Sequence, residues 1–239
     1  MNLKDKRVVV LGGTSGVGFA VATAAAREGA TLVVASSRKQ RVDEALSNLP
    51  GGSEGYVVDL TDTGAIQKFF AELGPYDHLV YTAGEPLLLH SLAEVDLAEA
   101  RSFFETRFWG AYAAAKFGSG GIRPGGSIVF TSGTASQRPG PGWSVVAGSL
   151  SAMEGLTRAL AVELAPIRVN VVTPGLIRTD LWRDMDESKR DELYQGAANS
   201  LPVRHVGEAH EIARAYLYCM SQTYVTGQTM ITDGGASLT

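Results

Sequence analysis

The chain has 239 residues, and its 21 Lys and Arg residues against 25 Asp and Glu residues give a formal net charge of −4. This length suits one domain that buries a core without a disulfide or a structural metal, and the single Cys219 cannot form an internal bridge. The mild acidity argues against binding to nucleic acid or to an anionic membrane. No apolar run approaches the ~20 residues of a membrane span, and the first residues lack the apolar core of a signal peptide. We therefore expect a soluble, cytoplasmic protein.

Short apolar strands alternate with helical stretches along the whole chain. The predicted strands are 7–11, 31–35, 55–58, 78–81, 127–130, 168–172 and 228–231, and the predicted helices are 17–28, 40–49, 63–73, 97–117, 145–164 and 208–220. Such alternation favours right-handed βαβ crossovers, and near-continuous apolar strands are typical of a sheet covered on both faces. The sequence therefore predicts an α/β fold, with a doubly wound parallel sheet in a three-layer α/β/α single domain over residues 1–239.

A polar stretch follows the predicted strand 168–172. We expect a substrate loop or lid at about 176–205, because residues 183–192 are charged and come just beyond the end of a strand. A solvated surface helix would explain residues 183–192 equally well.

A glycine-rich turn joins the first strand to the first helix, with the sequence Gly12-Gly13-Thr14-Ser15-Gly16-Val17-Gly18. Glycines at such a turn let backbone N–H groups and the positive end of the helix approach a phosphate without interference from a β-carbon. The turn is not a P-loop, because Phe19-Ala20 follows where Lys and then Ser or Thr would be required. Taken alone, the turn is explained either by a dinucleotide site or by tight packing of the strand on the helix.

Five segments in chain order carry a resemblance to a known family. They are the spacing Gly12-x-x-x-Gly16-x-Gly18, Val58-Asp59-Leu60, Tyr81-Thr82-Ala83-Gly84, residues 168–179 ending in Pro174-Gly175-Leu176-Ile177-Arg178-Thr179, and Val225-Thr226-Gly227-Gln228 with Asp233-Gly234-Gly235. Over essentially the whole chain the sequence resembles the short-chain dehydrogenase/reductases. The resemblance implies a Rossmann fold, a bound dinucleotide and hydride transfer to a small-molecule substrate.

The resemblance also implies which residues hold the dinucleotide. Thr14, Ser15 and Val17 would lie under the pyrophosphate, Asp59 beside adenine, Ala83 and Gly84 beside the ribose, and Ile177 with Thr179 near the nicotinamide amide. The full set of predicted cofactor residues is Gly12, Thr14, Ser15, Gly16, Val17, Gly18, Ser37, Arg38, Asp59, Leu60, Ala83, Gly84, Pro174, Gly175, Ile177 and Thr179.

The end of the second strand indicates which dinucleotide is bound. An acidic residue there would bind the ribose 2′-OH of NAD, whereas this chain has Ser36-Ser37-Arg38-Lys39. Two hydroxyls and two cations suit a dianionic 2′-phosphate, and arginine can bind it through two parallel hydrogen bonds. We therefore predict NADP(H), with the alternative that Arg38 and Lys39 only begin a solvated helix.

The catalytic residues of the resembling family are missing. That family uses a tyrosine acid, a lysine four residues later, a serine and an asparagine, and a well-matched helical segment aligns this chain with that pattern. Val146 then takes the tyrosine position, Leu150 the lysine, Gly133 the serine and Arg107 the asparagine. A register error does not restore the acid, because residues 117–188 contain neither tyrosine nor lysine.

Two functions follow from this loss. In the first, hydride transfer survives: Arg107 stabilises developing charge or clamps a carboxylate, and Ser132 or Thr134 donates a second hydrogen bond. The acceptor is then a small organic carbonyl, an activated alkene, or an imine or iminium, and an iminium needs no proton at the hydride step. In the second, the chain is a non-catalytic NADP(H)-binding regulatory or scaffolding protein. Arg107 would then pair with Glu99 or Glu105, and Ser132 would cap backbone groups.

The remaining predictions concern substrate, metal and assembly. We assign Thr134, Trp143 and Val146 to the substrate side, because the loop after the fifth strand should line the ligand crevice; core packing of Trp143 is the alternative. The 4 histidines lack metal-ligand spacing, so no metal is predicted. The apolar helices 97–117 and 145–164 exceed one buried stripe, and the resembling family pairs them across two-fold axes. We therefore expect a homodimer or homotetramer.

Overall fold

The computed structural model describes residues 2–183 and 185–239. Its strands are β1 (Arg7–Leu11), β2 (Thr31–Ser36), β3 (Glu54–Val57), β4 (Tyr76–Tyr81), β5 (Ile122–Thr131), β6 (Arg168–Pro174), β7 (Ile177–Arg178), β8 (Gly207–Glu208) and β9 (Thr229–Thr232). Its helices are α1 (Gly16–Arg27), α2 (Lys39–Asn48), α3 (Thr63–Leu73), α4 (Leu97–Phe104), α5 (Ala111–Gly118), α6 (Ser144–Glu163), α7 (Glu187–Ser200) and α8 (Ala209–Ser221). Seven strands form one parallel sheet in the order β3-β2-β1-β4-β5-β6-β9, and β7 pairs with β8. The predicted doubly wound α/β domain is confirmed.

The central strand β1 shows how this sequence specifies two covered faces. Val8 and Val10 pack into the core under α1 and α8, whereas Val9 and Leu11 pack into the core under α3, α5 and α6. All four side chains are fully buried. Because successive strand residues point to opposite faces, a run of four apolar residues fills both cores, and each contributes roughly 1.5 to 3 kcal/mol.

The strand order places a crevice beside β1. From β1 the chain winds outward to β3, then returns to β4 on the other side of β1 and winds outward to β9. The loops that leave the carboxyl ends of β1 and β4 therefore diverge. In open α/β sheets such a reversal point is where ligands bind.

Two of the predicted segments that differ from the structure lie close to the cleft. The predicted helix 97–117 is α4 and α5 joined by a π-helical turn, Glu105–Gly110, which widens the helix locally. In the predicted lid, α7 begins at Glu187 and is anchored by buried Tyr194, whose ring lies 4.4 Å below the Arg178 guanidinium. Asp184, inside this stretch, lies outside the described residues. Closure of the lid over a substrate stays a prediction.

The helix α6 is long and apolar enough, by length and composition alone, to cross a membrane. It packs against β6 and buries Val146, Met153 and Leu160, as a core helix does. Apolar side chains nevertheless remain exposed on α6 and on the α4–α5 segment, including Val162 and Trp109. The homodimer or homotetramer stays a prediction.

His78 makes stability depend on pH. Its ring is buried, Nδ1 lies 2.9 Å from Ser127 Oγ, and burial together with the nearby Arg168 charge lowers the His78 pKa from 6.5 to about 4. As the pH falls, the unfolded chain therefore protonates His78 at a higher pH than the folded chain does. We expect this group to lower the free energy of unfolding by about 3 kcal/mol as the pH drops from 6.5 to about 4, with full stability above pH 6.5. Denaturant unfolding measures the free energy of unfolding of wild type and of His78→Gln. We expect the difference between the two to decrease by that amount over this pH range, and parallel pH profiles would contradict the prediction.

Candidate active site

One cleft of about 750 Å³ opens at the carboxyl ends of the strands, beside β1 and β4. Every residue that the sequence assigns to cofactor, catalysis or substrate lines this cleft. The structure thus brings all of them together, although their individual roles stay predictions. It also adds lining residues that sequence reasoning did not assign, among them Arg41, Glu85, Arg138 and Trp182.

The glycine turn is built so tightly that side chains are excluded. A β-carbon at Gly12, where φ is +83°, would lie 2.6 Å from the Ala83 nitrogen, and one at Gly18 would lie 2.2 Å from the Gly12 carbonyl oxygen. Helix α1 starts directly above the turn, its N-cap Ser15 makes no side-chain cap, and its first turn carries no acidic residue. These N–H groups and the helix dipole are therefore available to an anion, which fits a dinucleotide pyrophosphate.

Two arginines line the end of the cleft beyond β2, which the sequence assigns to the adenosine of the cofactor. Arg38 is exposed at the start of α2, and Arg41 is partly buried one helical turn later. Lys39 behaves differently, because its ammonium binds Asp43 at 2.7 Å and does not line the cleft. The second cation of this end is therefore Arg41 and not Lys39. Its spacing of three residues from Arg38 on one helix was the signal that sequence reasoning passed over.

Asp59 and Leu60 close the same end of the cleft beyond β3. Hydrogen bonds from the Thr61 backbone N–H and hydroxyl to one Asp59 oxygen, at 2.9 and 2.8 Å, lower the Asp59 pKa. Asp59 is therefore an ionised acceptor at neutral pH, which fits recognition of an amino group such as that of adenine.

The π-helical turn carries Arg107 and is fixed at Thr106. The phenol of buried Tyr81 donates to the Thr106 carbonyl oxygen at 2.6 Å, and the Thr106 N–H donates to Glu85 Oε1 at 2.9 Å. Burial raises the Tyr81 pKa well above its ordinary value, so this phenol stays protonated. π-Turns widen a helix and redirect side chains, and this one directs Arg107 into the cleft.

Arg107 lies against the backbone of Gly84. A β-carbon at Gly84 would be 2.7 Å from Arg107 Cζ, the guanidinium stacks 5.0 Å from the Phe103 ring centre, and Nη2 donates to the Glu85 carbonyl oxygen. The prediction of Glu99 or Glu105 as its charged partner is wrong. Glu85 is the partner, with Oε2 3.7 Å from Arg107 Nε, because the loop after β4 lies closer to the guanidinium than the helix's own acids. Burial lowers the Arg107 pKa and Glu85 opposes that shift, so arginine remains a cation.

An apolar wall stands at the two positions that the sequence assigns to the family's tyrosine and lysine. Val146 and Leu150 are buried and pack with Phe103 and Ala135, and Trp143 packs partly buried against the same cluster. Trp143 therefore lines the cleft and supports the core at once. Across the cleft, the Trp182 indole is held by its N–H, which donates to the Ile177 carbonyl oxygen at 3.2 Å.

The two hydroxyls beside this wall differ in their freedom. The Ser132 hydroxyl donates to the Leu150 carbonyl oxygen at 3.0 Å and lies 3.4 Å from Glu154 Oε1. Thr134 begins a short 3₁₀ turn and lines the cleft, and its hydroxyl takes no part in the hydrogen bonds that Ser132 and Ser136 make to α6. Thr134 is thus the freer donor, and Ser132 already satisfies a helix carbonyl.

The titratable side chains that line the cleft are of few types. Within residues 2–183 and 185–239, no tyrosine, lysine, histidine or cysteine lines it. Over the same residues, no group of three or more His, Cys, Asp or Glu is arranged to hold a metal ion. The side chains available to act on a substrate are arginines, carboxylates and hydroxyls.

The topology, the glycine turn and the cleft define a dinucleotide-binding protein of the Rossmann class. The model of the SDR-like Rossmann domain matches residues 1–239. The chain therefore belongs to the short-chain dehydrogenase/reductase family and is an oxidoreductase of that family.

Among its relatives, the short-chain dehydrogenase/reductase UcsE of Acremonium sp is 35% identical over 98% of this chain and 96% of its own. MalC of Malbranchea aurantiaca is 32% identical over 99% of this chain and 96% of its own.

Solved structures show the same architecture. A small-chain dehydrogenase in complex with NADPH has a TM-score of 0.88 and 38% identity, with 99% of this chain and 100% of that chain covered. The structure of MalC, described as a reductase/Diels-Alderase, has a TM-score of 0.92 and 30% identity, with 99% and 98% covered.

Proposed function

We propose that this chain is an NADPH-dependent reductase that transfers hydride to a cationic C=N bond without a proton donor from the protein. One observation carries the proposal: Val146 and Leu150 form an apolar wall in the cleft, whose described lining holds no tyrosine, lysine, histidine or cysteine. A ketone becomes an alkoxide that must be protonated, whereas an iminium becomes a neutral amine. A positioned general acid is worth ~10² to 10⁴ in rate, so its loss weighs against ketones.

The residues of the cleft have separate tasks in this function. Bound NADPH would supply the hydride from its nicotinamide ring. The backbone of Gly12–Gly18 and the start of α1 would hold the pyrophosphate, and Arg38 with Arg41 the 2′-phosphate. Arg107 would orient the acceptor through a rigid guanidinium that cannot act as an acid, with Thr134 as the second donor. Ser132 stays a candidate catalytic residue whose hydroxyl must first leave the Leu150 carbonyl oxygen.

Two comparisons support the assignment. The complex of a 38% identical relative with NADPH favours NADP(H) as the dinucleotide. The description of MalC as a reductase/Diels-Alderase favours reduction as the chemistry. One competing outcome is hydride transfer to a carbonyl or an activated alkene. The other is no hydride transfer at all, as in a non-catalytic NADP(H)-binding protein.

A substrate panel tests the proposed function. Purified protein with NADPH would be given N-methyl-dihydroisoquinolinium, cyclohexanone and cyclohexenone, and NADPH oxidation would be followed by absorbance. For each substrate, kcat/KM would be divided by the rate of its uncatalysed reduction by NADPH. We expect this quotient to be about 10²-fold or more higher for the iminium than for the ketone. Preferred turnover of the ketone or the enone would contradict the acid-free mechanism. Binding of NADPH without turnover of any member would favour the non-catalytic alternative.

The choice of dinucleotide has its own test. Arg38→Ala together with Arg41→Ala should raise the NADPH dissociation constant about 10- to 100-fold and leave that of NADH nearly unchanged, because only NADPH carries the 2′-phosphate. Fluorescence titration with each dinucleotide measures both constants. Lys39→Ala is the matched control, since it removes a neighbouring cation that binds Asp43 and lies outside the cleft. Equal weakening of NADPH and NADH in the double variant would show that the arginines do not recognise the phosphate.

A further inference from the structure

Glu85 directly follows Ala83 and Gly84, and the family pattern that these two residues match assigns it no role. It lines the cleft directly after these residues, and its side chain is 27% exposed. The Thr106 N–H fixes Oε1 at 2.9 Å, so the backbone of the π-helical turn holds the carboxylate independently of any ion pair.

The carboxylate is not needed to anchor Arg107. The guanidinium donates to the backbone carbonyl oxygen of Glu85, a group that any residue at this position would supply. The two charged groups form an ion pair but do not complete a hydrogen bond: Glu85 Oε2 and Arg107 Nε are 3.7 Å apart, and both atoms are buried without a hydrogen-bond partner among the described residues. What the carboxylate adds is therefore charge.

That charge decides what the inner end of the cleft attracts. Arg107 alone would draw carboxylates and oxyanions into a poorly solvated site, where charge interactions are strong. With Glu85 beside it, the pair carries no net charge. Of the other carboxylates in the described lining, Asp59 closes the adenosine end, and Asp180 lies on the turn after β7. Of these carboxylates, Glu85 is the one that pairs with Arg107.

We propose that Glu85 is a specificity-determining residue, whose carboxylate offsets the Arg107 charge and so favours substrates with a cationic nitrogen over substrates with a carboxylate. This assignment rests on the proposed function, since it names the charge of the substrate for the same site. Arg107 keeps its orientation through backbone contacts, and Glu85 tunes the local field.

Glu85→Gln tests the charge while keeping the shape and the acceptor for the Thr106 N–H. Calorimetric titration of the NADP⁺-loaded protein would use three planar probes of similar size: N-methylisoquinolinium, neutral isoquinoline at alkaline pH, and naphthoate. In Glu85→Gln we expect affinity for the cation to fall about tenfold, affinity for the anion to rise about tenfold, and affinity for the neutral probe to change less than about twofold. Glu105→Gln, on the exposed side of the same π-helical turn, removes one charge outside the cleft and should change none of the three.

Other results would overturn the proposal. Equal weakening of all three probes in Glu85→Gln, with a lowered melting temperature, would mean that Glu85 only supports the fold. Unchanged affinities for the cation and the anion in Glu85→Gln would also contradict it. These titrations need no hydride transfer. Charge-dependent binding without turnover of the substrate panel would therefore refute the proposed reaction and leave the role of Glu85 intact.

Discussion

Replacing Arg107 with alanine is expected to lower kcat/KM for the iminium substrate by about 10²- to 10³-fold, the range found when one preorganised donor is removed from an active site. The guanidinium is largely buried and lies on Gly84, and in the proposed function it orients the acceptor. Its removal takes away the donor that orients the acceptor. Steady-state kinetics with NADPH, normalised to the number of NADPH-binding sites, measures the effect.

Two features of this variant require control. Alanine leaves the partly buried Glu85 carboxylate beside no cation, and we expect a loss of stability smaller than the about 3 to 5 kcal/mol that breaking a fully buried pair costs. Arg107→Lys keeps the charge but loses the planar fork, so we expect near-normal stability and a kcat that remains at least tenfold low. A lysine variant with full activity would show that charge alone suffices. An alanine variant that loses stability and NADPH binding, yet keeps kcat per bound site, would show that Arg107 is structural.

Gly18→Ala is expected to abolish measurable NADPH binding and to destabilise the fold by about 1 to 3 kcal/mol, the usual range for inserting atoms into a packed site. Its β-carbon would lie 2.2 Å from the Gly12 carbonyl oxygen and 2.4 Å from Thr82 Oγ1, distances that no relaxed contact reaches. Helix α1 must then move away from the turn, and the phosphate cradle is lost. Fluorescence titration and thermal unfolding report the two effects separately.

Gly155 provides a matched control for this substitution. It lies within α6, and a β-carbon there would meet nothing within 4 Å. We expect Gly155→Ala to raise stability by about 0.5 to 1 kcal/mol, because alanine favours the helix, and to leave NADPH binding unchanged. Normal NADPH affinity in Gly18→Ala would mean that the turn tolerates a side chain and does not cradle the phosphates as proposed.

The fold was predictable because its signals are local and repeated. Apolar runs such as Val8–Leu11 fill two cores at once, and the glycines of the first turn mark close backbone approaches that only this residue type permits. The π-helical turn at Glu105–Gly110 was not predictable in the same way. It depends on Tyr81 and Glu85, which approach Thr106 from another strand and loop, and no periodicity within the helix records those contacts.

The sequence predicted which residues line the candidate site better than it predicted which of them contact one another. The family pattern brought Arg107 and Val146 to one cleft, but it suggested helical neighbours as the partners of Arg107. Glu85, which is 22 positions away in sequence, is the actual partner. An acid directly after Ala83-Gly84 was the available signal. In the same way, Arg41 and not Lys39 reaches the cleft, because the helix turns one residue in and the other out.

Single-turnover reduction of N-methyl-dihydroisoquinolinium tests the central claim most directly, since that claim is hydride transfer without a proton from the protein. The reaction would be run with NADPH and with NADPH deuterated at the transferred C4 position, each in H₂O and in D₂O. We predict a primary isotope effect from the cofactor, no solvent isotope effect, and a rate that does not vary with pH while the protein stays folded. A solvent isotope effect on the hydride step, or no oxidation of bound NADPH, would contradict the account.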